Sequence, residues 1–386
     1  MRRYVALFLS CLLLVLASCG RVLPSFLGIA GERAGEATSA AEGIEEPTTG
    51  ERIYPGEEWT TAKPETLGVD AELLDTASRR IEENYPNIYS LLVVRSGVLV
   101  YEKYFQYQTK TDANPVYSVT KSVMSALTGI ALEQGLIDSV DQKVSELLPE
   151  YFDGLEDPLK KEITLRHVLT MTGGLSSIDG NYYDYFTSGD WLSYALGLSM
   201  NEKPGEKFVY NTGLTHILSA VIEETSGQRV LAYAKENLFS KLGIQVRRWD
   251  SDAKNRNGGG TGLCMKPTDM ARFGYLYLNS GVWNGEQVVP RQWVEESIQK
   301  HVAVSGDTDY GYLFWISDIT DAGGRVHHTY QANGAGGQKI LMVPDLDLVV
   351  VITADLNRQS LNSADTFDII PQYILPAVDS LVQSTK

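Results

Sequence analysis

Residues 114–121, Asn114-Pro115-Val116-Tyr117-Ser118-Val119-Thr120-Lys121, continue as SVMSALTGIALEQG to residue 135. The Asn-Pro step favours extended or turn backbone, so a helix can begin only after it. From Ser118 to Gln134 the apolar residues Val123, Leu127, Ile130 and Ala131 recur at helical spacing. Small or apolar residues (Ala126, Gly129, Ala131) let other segments pack closely on that helix, so it is expected to be buried. Ser118 opens it, and Lys121 follows one turn later on the same face. Serine is a poor nucleophile without an adjacent base. A lysine amine serves as that base only when burial and neighbours lower its pKa. A helix start also presents N–H groups to a developing oxyanion. Ser118 and Lys121 are therefore the first candidate catalytic pair.

Ser-x-x-Lys alone is weak, because Ser251–Lys254 and Ser297–Lys300 repeat it. The first of these lies in the polar run DSDAKNRNGG, expected as a loop, and the second ends a charged helix, RQWVEESIQK. Other chemistries lack support. No Gly-x-Ser-x-Gly elbow is present. There is no His-Glu-x-x-His, Cys-x-x-Cys or phosphate-binding loop, and hence no sequence support for a metal or organic cofactor. His167 and His216 sit inside helical patterns, as structural histidines do.

On either side of this helix the pattern changes period. Ile88 to Arg95 and Val98 to Phe105 flank Ser96-Gly97 and read as a hairpin. Lys339 to Val343 and Leu348 to Thr353 flank Pro344-Asp345-Leu346-Asp347 as a second one. Gly311 to Ser317 and Arg325 to Gln331 are further strand candidates. Helices are expected over Thr164 to Thr172, Leu214 to Thr225 and Pro267 to Asn279. A one-sided apolar stretch from Ala364 to Gln383 is interrupted by Pro371 and Pro376. Strands, then helices, then strands imply an α/β (α+β) module: an antiparallel sheet flanked by helices, with a mainly helical insertion over about 117–254. No internal repeat was found.

The first 18 residues, MRRYVALFLSCLLLVLAS, have the positive start, apolar run and small residues of an export signal. Leu16-Ala17-Ser18-Cys19 resembles the bacterial lipobox, which implies a lipidated Cys19 and a protein anchored to a bacterial membrane, facing the periplasm or cell exterior. Residues 19–62, rich in Gly, Ala, Glu, Thr and Pro, read as a flexible acidic tether, with the folded part starting near Lys63. With 33 Lys+Arg against 49 Asp+Glu, the net charge of −16 disfavours a nucleic-acid partner. Two of the three cysteines lie in the first nineteen residues, which excludes a disulfide framework.

With these stretches in order, the chain resembles the serine β-lactamase and penicillin-binding-protein superfamily, nearest its class C-like branch of esterases and hydrolases. The resemblance is carried by VYSVTKSVMSALTGIALEQG, ITLRHVLTMTGGL, PGEKFVYNTGLTHILSAVIEE, GGGTGLCMKPTDMARFGYLYLNSG, YGYLFW and GAGGQKILMVPDLDLVVVIT. It implies a cleft between the sheet and the helical region, with Ser118 as acylated nucleophile and Lys121 as proton acceptor. Tyr210 resembles the tyrosine of the second motif and shares proton transfer. From its residue type alone Tyr210 is equally a core aromatic. The family commonly has Tyr-x-Asn, whereas here Asn211 follows Tyr210 directly and Thr212 takes the third place. The third motif, Lys-Thr-Gly, is absent; the matching stretch is Gln331-Ala332-Asn333-Gly334-Ala335-Gly336-Gly337-Gln338. Its glycines suit close approach of substrate or, equally, a plain turn. The resemblance implies an oxyanion hole from the N–H groups of Ser118 and Ala335, with Asn211, Asn333, Gly334 and Gly336 on the substrate side. Trp191, Trp315, Tyr182 and Tyr183 are candidate cleft walls or core residues. The expected activity is a serine hydrolase acting on a small-molecule or peptide-like ester or amide. The alternatives are a D,D-carboxypeptidase or β-lactamase, and a catalytically inactive surface-binding protein.

Overall fold

The structure is a computed structural model that describes residues 52–356 and 368–379; the expected export signal, Cys19 and most of the expected tether lie outside the described residues. Eight strands form one antiparallel sheet: β1 (Ile88–Arg95), β2 (Val98–Tyr104), β3 (Val302–Ser305), β4 (Thr308–Tyr310), β5 (Trp315–Thr320), β6 (Val326–Gly334), β7 (Gln338–Val343) and β8 (Leu348–Ala354). Their spatial order is β2-β1-β8-β7-β6-β5-β4-β3. Two hairpins at opposite ends of the chain meet where β1 pairs with β8, Leu91 opposite Ile352. The residues between β2 and β3 carry most of the helices.

The apolar runs of β7 and β8 are buried along their whole length, as expected of strands covered on both faces. One face carries helix α4 (Pro267–Leu278), whose Gly274 lies so close that a Cβ there would stand 2.6 Å from Ile340 and 2.8 Å from Val349. Helix α1 (Ala71–Asn84) joins β2 through a 2.6 Å Ser78–Tyr101 hydrogen bond, and the C-terminal segment through Asp70 N–H to Ala377 O. Packing reaches further toward the N-terminus than Lys63. Trp59 is buried and donates to Thr268 O, and Arg272 holds the carbonyls of Gly56 and Glu57.

Helix α2 (Val119–Glu133) is buried on nearly every side, and α3 (Thr212–Ser226) packs beside it. Three sequence expectations shift. Gly311 to Phe314 is a loop and β5 starts at Trp315, because Leu313 takes a positive φ of 64° that no strand accommodates. The helix expected over Thr164 to Thr172 shortens to Leu165–Leu169, closed at its start by a Thr164–His167 capping box. Near the C-terminus, Ile370–Ile374 form a π turn that continues as Leu375–Asp379; the flanking residues 357–367 and 380–386 lie outside the described residues. Among the described residues no helix is long and apolar enough to cross a membrane.

Candidate active site

The extended pair Asn114–Pro115 is tied to Cys264–Met265 by a short antiparallel ladder, and the chain then turns sharply into α2. Tyr117 makes that turn with φ at 47°, a strained value for a bulky residue. Ser118 follows as the N-cap of α2, so its hydroxyl projects from the helix start while Lys121 rises beneath it. The two side chains meet at 2.9 Å.

Lys121 is 1% exposed, and its amine has two further partners: Thr212 Oγ1 at 3.0 Å and the Gly260 carbonyl at 2.8 Å. Burial lowers its pKa from the usual 10.5 to about 8, and the Asp179 carboxylate pulls the other way. Gly260 reaches the amine because the run Gly258-Gly259-Gly260 lies directly on α3. A Cβ on Gly260 would sit 2.4 Å from Thr215 Oγ1 and 2.6 Å from Thr212 O. The buried His216 supports the same run by accepting the Gly259 N–H at 3.2 Å through Nδ1. The histidine is thus structural.

The phenol of Tyr210 shares the cleft wall with Ser118, and burial holds it protonated, well above the ordinary tyrosine range. The Lys121 amine stands 4.8 Å from the Tyr210 ring centroid, and the far face of the wall is Trp315, stacked on Tyr210 at 5.6 Å. These groups open onto a cleft of about 740 Å³ lined by Ser118, Tyr210, Trp315, Asn333, Gly334 and Ala335, and also by Tyr182, Asp179 and Lys339. Ser118 starts a helix and Ala335 starts a 3-10 turn, Ala335–Gly337. Neither N–H can be taken by a carbonyl of its own helix or turn, and both residues line the cleft. Gly334 is required where it stands, since a Cβ would meet Val116 O at 2.3 Å.

Not every expected residue faces the cleft. Asn211 is the N-cap of α3: its side chain accepts from Gly213 N–H at 3.0 Å and Leu214 N–H at 3.2 Å, and donates to Ser176 O at 2.9 Å. The helix start needs those acceptors, so the amide is occupied away from substrate. Gly336, with φ at 83°, does not line the cleft, and its carbonyl accepts from Asn87 at 3.1 Å. Trp191 belongs to an aromatic cluster with Tyr185 and Phe186, and Tyr183 is exposed. In the other Ser-x-x-Lys pairs the lysines go elsewhere, Lys254 to Asp190 at 2.6 Å and Lys300 to Asp309 at 2.9 Å.

Four participants escaped the sequence reading. Thr212 was visible at the third place of the Tyr210 motif, but its type hid its role. Gly260 acts through its carbonyl, which no side-chain pattern reports. Asp179 arrives on an excursion whose ends are tied by Ser176 N–H to Ser199 O at 2.8 Å. Lys339 lies on β7 opposite Asn333, and its amine donates to Gln331 Oε1 at 2.6 Å and Asn333 Oδ1 at 2.7 Å. Burial lowers its pKa to about 7.

The family model described as beta-lactamase matches residues 87–369. The 6-aminohexanoate-dimer hydrolase of Paenarthrobacter ureafaciens is 25% identical over 329 residues, which covers 76% of this chain and 78% of that one. A putative D-alanyl-D-alanine carboxypeptidase of Escherichia coli K12 is 23% identical over 214 residues, covering 48% of this chain and about half (49%) of its own. Among solved structures, EstCE1, a hydrolase with promiscuous acyltransferase activity, superimposes with a TM-score of 0.64 over 79% of this chain and 97% of that one. At 18% identity this likeness shows a shared fold.

Proposed function

The chain belongs to the β-lactamase family of serine hydrolases, and from that premise we propose that it cleaves an ester or amide through an acyl-enzyme on Ser118. The observation that carries this is the amine of Lys121, buried and 2.9 Å from the Ser118 hydroxyl. The neutral amine takes the hydroxyl proton as Ser118 Oγ bonds to the substrate carbonyl carbon. The resulting oxyanion is held by the N–H groups of Ser118 and Ala335. The carbonyl then re-forms, the bond to the leaving group breaks, and the leaving oxygen or nitrogen receives a proton through the Tyr210 phenol, which Lys121 replenishes. Water attacks the acyl carbon with the same groups acting in reverse, releasing the acid and regenerating Ser118. Because its phenol is held protonated, Tyr210 serves as donor and relay, and Lys121 is the base. A base in this position contributes about 10²–10⁴ in rate, and an oxyanion donor about 10²–10³.

Steady-state hydrolysis of p-nitrophenyl esters tests this. Turnover by the wild type that is lost in Ser118→Ala is expected; equal turnover by Ser118→Ala would overturn it.

Lys339 favours a second reading, a D,D-carboxypeptidase or β-lactamase. It brings an amine, about half protonated at pH 7, to the cleft wall from which the Lys-Thr-Gly lysine is missing, where a substrate carboxylate would rest. Nitrocefin turnover comparable to ester turnover would support it, and its absence would leave the esterase or amidase.

From the N-terminal sequence we further propose export and lipidation at Cys19, with the domain held at a bacterial membrane surface by an acidic tether. Palmitate incorporation lost in Cys19→Ala is the expected result; labelling that persists would exclude the anchor.

A further inference from the structure

Asp179 does not touch Ser118 or the oxyanion position, yet both its oxygens face the same residue. Thr212 donates its backbone N–H to Asp179 Oδ2 at 2.6 Å and its hydroxyl proton to Oδ1 at 2.7 Å. Tyr182 also donates its hydroxyl to Oδ1. An ionised carboxylate only accepts, so the Thr212 proton points at Asp179 and an oxygen lone pair is left for Lys121, 3.0 Å away. The third neighbour of the amine, the Gly260 carbonyl at 2.8 Å, can only accept as well. A neutral amine has two N–H bonds and one lone pair. With both N–H bonds directed to Thr212 and Gly260, the lone pair faces Ser118 and its proton. Were Thr212 free to rotate, its hydroxyl could donate to the amine and occupy that lone pair.

We propose that Asp179 is a positioning residue of this site, fixing the Thr212 hydroxyl as an acceptor so that the Lys121 lone pair is directed at Ser118. This inference rests on the hydrolase proposed above and assigns the part of the site that replaces the Asn of Tyr-x-Asn. Asp179 also has a second, opposing effect. Its charge favours the protonated amine; the other groups facing that amine are the Tyr210 ring, the Ser118 and Thr212 hydroxyls and the Gly260 carbonyl. An amide at position 179 would offer one oxygen and one N–H pair to two Thr212 donors, reversing the threonine hydroxyl while removing the charge.

The rate of Ser118 labelling by a fluorophosphonate, followed against pH in folded protein, tests this without knowledge of the natural substrate. For Asp179→Asn the plateau rate is expected to fall about tenfold or more, while the acidic limb moves to lower pH. Thr212→Val should lose a similar factor, and Thr212→Ser, which keeps the hydroxyl, should recover the wild-type plateau. A wild-type plateau and limb in Asp179→Asn would overturn the inference, as would a slower plateau with an unmoved limb, the mark of a merely structural residue. If Asp179→Asn does not fold, the Thr212 pair decides: equal plateaus for valine and serine overturn it. Failure of the wild type to label at Ser118 would instead remove the hydrolase itself.

Discussion

The Lys121 amine lies 2.8 Å from the carbonyl oxygen of Gly260, a residue 139 positions away along the chain. One of the amine's acceptors is thus a backbone atom held in place by packing. A side chain at Gly260 would collide with Thr212 and Thr215, so Gly260→Ala must displace the carbonyl or the helix. Acylation is expected to fall in this variant by about 10-fold or more, by misplacing the base. Stopped-flow acylation with a nitrophenyl ester checks it, and a wild-type rate would show that the carbonyl is dispensable.

The pH dependence follows from burial. Lys121 is lowered to about 8, and the neutral amine is the active form, so kcat/KM should rise through that region and level above it. At pH 7 about a tenth of the enzyme would hold the neutral amine. An acidic limb near the ordinary lysine value, or none, would speak against Lys121 as base. Lys121→Met should abolish turnover across the range.

Tyr210→Phe keeps the ring stacked on Trp315 and removes only the phenol oxygen. Turnover should fall by about 10²-fold yet stay above that of Ser118→Ala, since the lysine and oxyanion donors remain. Amides, with poorer leaving groups, should suffer more than nitrophenyl esters. A uniform loss across leaving groups would argue against proton donation by Tyr210.

Gly334→Ala places a methyl group 2.3 Å from Val116 O, two residues before the nucleophile. Either β6 or the Ser118 turn must yield, parting Ala335 from Ser118. A loss of up to about 10²-fold in kcat is expected, larger than the change in KM. Steady-state kinetics on one ester separate the two constants.

The fold was legible where local pattern and burial agree. The hairpin around Ser96-Gly97, the buried helix after Ser118 and the apolar runs of β7 and β8 all declare themselves by period. The pattern failed where a single backbone angle decides, as at Leu313, whose positive φ delays β5. In the site, Ser118, Lys121 and Tyr210 carry a recognisable order and spacing, and the structure gathers them. Asn211 looked chemical but caps a helix, a task that the residue type serves equally well. Asp179 and Lys339 could not be read from spacing, because one arrives on a long excursion and the other by strand register across the sheet.

The most direct test is the mass of the intact protein after exposure to a fluorophosphonate, with the modified residue located by peptide mapping. One adduct is expected, on Ser118, absent from Ser118→Ala and slow to form in Lys121→Met. An unmodified wild type, or an adduct that persists in Ser118→Ala, would contradict a Ser118 nucleophile.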